Sequence, residues 1–135
     1  MIVIIEKKVE FDSAACLLRN VQTIDETTIS FIQAQLLTLL LNHRGFAVSR
    51  NEIFETIFDV HGAHATNNNL NQNISVLRKY LLQLGIDGEV IITVPRVGFM
   101  IADNLLIEIL QKKPAPIDVN TSVTDNQSIT KKILS

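Results

Sequence analysis

The chain has 135 residues with no tryptophan, one tyrosine, one cysteine and only three prolines; aromatic residues make up 5% of it. A single cysteine, Cys16, excludes a disulfide within the chain and a cysteine metal site. It fits a reducing compartment, and its neighbours Ala15 and Leu17 suggest a small buried residue there. Long apolar runs are also missing. The longest, around Leu36–Leu41 and Val90–Val94, fall far short of the roughly 20 residues a bilayer crossing needs, and Met1-Ile-Val-Ile-Ile meets Glu6 too soon for a secretory leader. His61 and His64 lie three apart with no further histidine or cysteine nearby, whereas zinc wants about four ligands, so no metal is expected. There is no serine nucleophile motif, no cysteine–histidine arrangement and no glycine-rich phosphate loop. No cofactor and no enzyme activity are expected. An excess of positive charge is absent too: the net charge is −2, which argues against strong nonspecific binding to nucleic acid.

What is present is 47% hydrophobic residues, an ordinary share for a globular protein, and enough length for one domain with a real core. The charge is uneven. Residues 1–30 hold three basic against five acidic side chains, while residues 66–100 hold Arg78, Lys79 and Arg96 against Asp87 and Glu89.

The stretch from Ala65 to Leu84 organises the chain. Leu70, Ile74, Leu77, Leu81 and Leu84 recur in steps of three and four, which line one side of a helix. At roughly 100° per residue the opposite side carries Asn68, Gln72, Ser75 and Lys79, flanked by Asn71, Val76 and Arg78. An amide offers a donor and an acceptor side by side, as reading a base edge requires. The same residue types also cap helices and fill loops, and on the helix alone the two uses are balanced.

Around this helix, residues 2–29 read as a small antiparallel sheet: Ile2–Ile5, Val9–Phe11, Ala15–Leu18 and a piece near Thr27–Ile29. Turn signals fall at Asp12-Ser13, Arg19-Asn20 and Asp25-Glu26. Ser30 and Gln33 form a capping box for a nearly all-apolar helix from Phe31 to about His43, with Gly45 as a left-handed stop. Ser49 and Glu52 form a second box, opening a short helix with Ile53, Phe54, Ile57 and Phe58 on one side. The loop Asp59–Thr66 follows, Thr66 or Asn67 caps the third helix, and Gly85 ends it with Ile86 placed for the accompanying apolar contact. Glu89–Ala102 reads as a hairpin of Val90–Val94 and Val97–Ile101. Proline cannot supply the positive φ of the favoured two-residue turns, so the loop at Pro95-Arg96 is expected to be longer, with Gly98 strained or bulged. Residues 103–113 are expected to form a short helix on Leu105, Leu106, Ile109 and Leu110, and 114–135 a polar linker or disordered tail.

Strands, three capped helices and a hairpin, an α+β arrangement, make the plan of a winged helix-turn-helix. Ile74-Ser-Val-Leu77-Arg78-Lys79-Tyr80-Leu81, followed by Ile92-Thr93-Val94-Pro95-Arg96-Val97-Gly98-Phe99, resembles the DNA-binding domain of OmpR/PhoB-type regulators, and within it the ToxR/CadC-like branch. Gly45-Phe-Ala-Val48-Ser49-Arg50-Asn-Glu52-Ile53 resembles the same family's lead into its second helix. The likeness spans roughly residues 3–102, taken as the domain 1–102. Departures are Phe58 where the family often has tryptophan, Phe99 where the wing often has tyrosine, and amides where the third helix usually carries more arginine.

The resemblance implies an N-terminal four-stranded antiparallel sheet, a three-helix core and a C-terminal β-hairpin wing. It implies sequence-specific binding to double-stranded promoter DNA, usually as a dimer on repeated half-sites, and transcriptional activation in the cytoplasm, with RNA polymerase as a partner. The ToxR-like branch is often tethered to a transmembrane helix; the polar linker and the terminal Lys131-Lys132 look like a chain cut just before a span, an expectation that a genomic sequence stopping at Ser135 would sink. On this reading Asn68, Asn71, Gln72 and Ser75 meet base edges or phosphates, Arg78 and Lys79 meet phosphates or, for Lys79, a base, and Arg96 enters a minor groove or meets a phosphate. Arg50, in the first turn of the second helix, meets the backbone; a cation gains nothing there from the helix dipole. The rival is a winged helix that binds protein, favoured by the low charge and the apolar segment Leu105–Leu110.

Overall fold

The computed structural model describes residues 1–111. Four short strands open the chain: β1 (Ile2–Ile5), β2 (Val9–Asp12), β3 (Leu17–Asn20) and β4 (Glu26–Thr28). They pair in antiparallel order and present alternate residues to the core, so that Val3, Ile5, Val9, Phe11 and Leu18 are buried. β3 lies further along than Ala15–Leu18. Cys16 sits in the turn before it, half-buried at φ 52°, rather than as a small core residue.

Among the described residues the sheet has five strands, where four were expected. The segment expected to be a helix over 103–113 forms β8 (Ile107–Gln111) against the outer edge of β1. Glu6 explains the outcome: its backbone N–H donates to the Leu106 carbonyl at 2.8 Å, and its carboxylate accepts from the Leu106 N–H at 2.7 Å. Arg44 holds the Leu105 carbonyl at 2.7 Å. A short isolated helix is marginal in water, while the free edge of β1 offers unpaired backbone donors and acceptors to a strand that docks there. The polar tail expected over 114–135 lies outside the described residues.

The helices are α1 (Phe31–Asn42), α2 (Arg50–Ile53, running on into a π-helical turn, Phe54–Phe58) and α3 (Asn67–Gln83). Ser30 and Gln33 complete their reciprocal capping box, each bond 3.0 Å. The second box is half made: Ser49 accepts from the Glu52 N–H, but the Glu52 carboxylate lies 3.9 Å from His43 instead of returning to Ser49. The π-helical turn closes with Asp59 N–H donating to the Phe54 carbonyl, and both Ile57 and Phe58 reach the core.

A second sheet carries the wing. β6 (Ile91–Val94) and β7 (Gly98–Ile101) form the hairpin, and a two-residue strand, β5 (Val48–Ser49), pairs with β7 to give the order β5-β7-β6. β5 is too short for any sequence pattern to announce. One core joins the layers, with Phe11, Phe58, Phe99, Leu36, Leu37, Leu70 and Leu77 fully buried.

Candidate nucleic-acid interface

The third helix is gripped along its length, and the grip defines what it leaves free. Thr66 caps its start by accepting from Asn69 N–H. Its end is a Schellman motif: Ile86 N–H donates to the Leu81 carbonyl and Gly85 N–H to Leu82, with Gly85 at φ 115°. The stripe Leu70, Ile74, Leu77 and Leu81 is buried, and Leu84 and Ile86 close over it.

The amides divide into two sets. On one flank Asn73 donates to the Asn69 carbonyl at 2.9 Å and accepts from Gln33 of α1 at 3.0 Å, while Asn69 donates to the His64 carbonyl at 2.9 Å. These hold the helix and its preceding loop in place. Asn68, Asn71, Gln72, Ser75 and Lys79 are exposed, and their side chains make no hydrogen bond or ion pair with the described residues. At 100° per residue they share one arc. Leu82, 60% exposed, falls on the same arc. The sequence pattern passed over it because apolar residues were assigned to the core, yet an exposed methyl-bearing side chain there suits a thymine methyl group.

The opposite flank belongs to Arg78. Its Nε and Nη2 both donate to the Ile91 carbonyl, at 3.0 and 2.7 Å, and Nη2 also reaches Thr93 Oγ1 at 2.9 Å. The side chain expected to meet a phosphate therefore fastens the helix to the root of the wing. Thr93, absent from the sequence-based candidates, is a second acceptor for it; the pattern of β6 does not announce this, since Thr93 shares its strand face with the buried Ile91.

The wing tip is a three-residue loop, as expected from its proline. Val97 N–H donates to the Val94 carbonyl at 3.0 Å, Pro95 takes the second position and Arg96 the third, at φ 65°. This is the type II arrangement, whose third position normally wants glycine or asparagine. Arg96 is exposed. Gly98 is neither strained nor bulged: the hairpin register runs through it unbroken and its φ is not positive. Its need for glycine comes from β5, since a Cβ there would stand 2.0 Å from the Val48 carbonyl. Arg50 lies over the Phe99 ring, 5.0 Å from its centroid, a cation–π contact between α2 and the wing strand.

The loop between α2 and α3 packs through His61, whose ring meets Phe31 edge-on at 4.8 Å. Among the described residues no three His, Cys, Asp or Glu side chains gather as a metal site, and no helix is long and apolar enough to cross a membrane.

The fold is shared with solved DNA-binding domains. The DNA-binding domain of Escherichia coli CadC is 23% identical, superposes with a TM-score of 0.64, and the match covers 78% of this chain and 94% of that one. The C-terminal domain of the nisin resistance regulator NsrR, a lantibiotic response regulator, is 29% identical with a TM-score of 0.53, over 64% of this chain and 84% of that one. The Klebsiella pneumoniae RstA DNA-binding domain, solved in complex with the RstA box, is 20% identical with a TM-score of 0.55, over 75% and 97%. No curated protein sequence matches the chain significantly. The sequence pattern of the family described as "Transcriptional regulatory protein, C terminal" matches residues 25–101. With more than half of its length inside that pattern and the winged helix in place, the chain belongs to the OmpR/PhoB-type family of transcriptional regulatory domains.

Proposed function

We propose that this domain regulates transcription by reading a specific sequence in double-stranded DNA. The exposed arc of α3 lies in the major groove and the wing tip reaches the minor groove or the backbone. The observation that carries the reading is the division of the α3 amides. Asn69 and Asn73 are held by internal partners, while Asn68, Asn71, Gln72 and Ser75 face outward with Lys79, free of side-chain partners among the described residues. An amide needs an outside partner to use its paired donor and acceptor, and a base edge supplies both.

In this reading Asn68, Asn71, Gln72 and Ser75 meet base edges or phosphates, and Lys79 adds a phosphate contact or reaches a base. Arg96 enters the minor groove or meets the backbone. Arg50 sits beside the wing strand on Phe99, where it orders the groove-facing side of α2 and still offers charge to a phosphate. The domain works in the cytoplasm as an activator, as a dimer on repeated half-sites, with RNA polymerase as the partner that reads its position.

The test is selection on random duplex DNA for the wild type, Lys79→Ala and Arg96→Ala at two salt concentrations. A reproducible motif, weakened by both substitutions and by salt, supports the reading, because each phosphate contact releases counterions. Absence of any motif over nonspecific DNA refutes it.

One observation favours a second reading, a winged helix that binds protein. Among the described residues β8 is an outer strand, with Ile109 53% and Leu110 59% exposed, and an apolar edge of this kind invites pairing with another chain. Partner binding that tolerates high salt and survives Lys79→Glu would mark that case.

A further inference from the structure

β6 is the outer strand of the order β5-β7-β6. The Val90 carbonyl accepts from Ala102 N–H, and the register pairs Ile91 with Ile101. Hydrogen-bonded and non-hydrogen-bonded pairs alternate in an antiparallel ladder, so the backbone groups of Ile91 and Thr93 point away from β7, toward α3. The Ile91 side chain is fully buried, and among the described residues its carbonyl finds its partner in Arg78, which binds it twice. The third bond, to Thr93 Oγ1, extends the grip along the strand toward the wing tip.

From this geometry we infer that Arg78 is a positioning residue: it sets the wing's angle against the recognition helix and thereby the step along the duplex at which Arg96 arrives. The inference rests on the DNA-reading function proposed above. A planar guanidinium is suited to the task because its donors lie in a fixed fork, and two charge-assisted bonds onto one carbonyl leave the strand little freedom to pivot. Two elements that touch separate grooves need a fixed relation to each other, since a misplaced contact in one groove costs the contact in the other. Arg78 supplies that relation without touching DNA.

The test compares DNA affinity for the wild type, Arg78→Lys and Thr93→Val, each with and without Arg96→Ala, on the wild type's selected sequence. Hydrogen exchange at the Val97 amide of the free proteins is measured alongside. Lysine keeps the charge and loses the fork. Positioning predicts that Arg78→Lys binds about tenfold more weakly and that most of this loss vanishes once Arg96 is alanine. It also predicts faster exchange at Val97. Thr93→Val, which leaves the Ile91 bonds and the strand shape in place, shows a smaller loss of the same non-additive kind. A direct phosphate contact predicts the reverse: Arg78→Lys retains most of the affinity, and its effect multiplies with that of Arg96→Ala whatever the background. If the wild type selects a motif and Arg78→Lys binds it equally well, the positioning role alone falls. If the wild type selects no motif, the DNA-reading function falls and takes this role with it.

Discussion

The side-chain amide of Asn20 donates to the Leu84 carbonyl at 2.6 Å, across 64 residues of sequence. The same side chain accepts from the N–H groups of Gln22 and Thr23 at 2.8 and 2.9 Å. One residue thus shapes the turn after β3 and caps the end of α3, tying the N-terminal sheet to the helix proposed to read DNA. Asn20→Asp keeps the acceptor and loses the donor, and it sets a carboxylate against the negative end of the helix. We expect destabilisation of about 2 kcal/mol by urea denaturation. A variant as stable as wild type would show that the Leu84 contact contributes nothing.

The two sets of amides should separate in function. Asn73→Ala removes the link between α1 and α3 and should lower stability by about 1 kcal/mol with the preferred DNA sequence unchanged. Gln72→Ala should leave stability within about 0.5 kcal/mol and weaken binding by about 1–3 kcal/mol, with relaxed preference at one base pair. Thermal denaturation and DNA selection on both variants check this. An altered motif from Asn73→Ala with an unaltered one from Gln72→Ala would overturn the division.

At the wing tip, stability and binding should move in opposite directions. Arg96 occupies the left-handed region at φ 65°, a conformation that costs an ordinary residue about 1–2 kcal/mol. Glycine escapes this cost but loses more chain entropy on folding, about 0.5–1 kcal/mol. Arg96→Gly should therefore gain about 0.5–1 kcal/mol of stability while binding DNA more weakly and with a shallower salt dependence. Calorimetry and a salt titration of binding measure the pair. A variant that loses both stability and affinity contradicts the strain argument.

Gly98 tests the seat of the wing. A methyl group there would lie 2.0 Å from the Val48 carbonyl and 3.0 Å from the Arg50 nitrogen, both backbone atoms that no rotamer change can move. Gly98→Ala should cost about 3 kcal/mol, the upper range for overpacking, by prising β5 from β7. Loss of protection at the Arg50 amide, which donates to the Val97 carbonyl at 3.1 Å, would report the separation by hydrogen exchange. Normal protection with normal stability would mean that the methyl group is taken up without separating the strands, and the overpacking argument fails.

Much of this protein is local physics and was legible in the sequence. The Ser30–Gln33 box, the Thr66 cap and the Gly85–Ile86 stop all rest on interactions within a few residues, so residue type and spacing suffice to find them. The buried stripe of α3 and the amide-rich face opposite it follow from helical period in the same way. That the wing loop exceeds two residues followed from what proline cannot do.

Tertiary structure decided the rest, wherever a residue's partner lies far along the chain. The short run Ile107-Glu108-Ile109 fits a strand as well as a helix, and nothing local decides between them. The segment becomes β8 because β1 has a free edge and Glu6 holds both backbone groups of Leu106. No local signal separates Asn73 from Asn71; the difference is Gln33, forty residues earlier, on one flank of the helix. Arg78 and Lys79 are neighbours of like charge. One turns to a carbonyl on the open side of β6 and the other to solvent, because a helix places consecutive residues about 100° apart and the wing stands on one side only. Residue spacing defined the faces of the third helix; the elements packed against its flanks determined which residues of those faces remain free to read DNA.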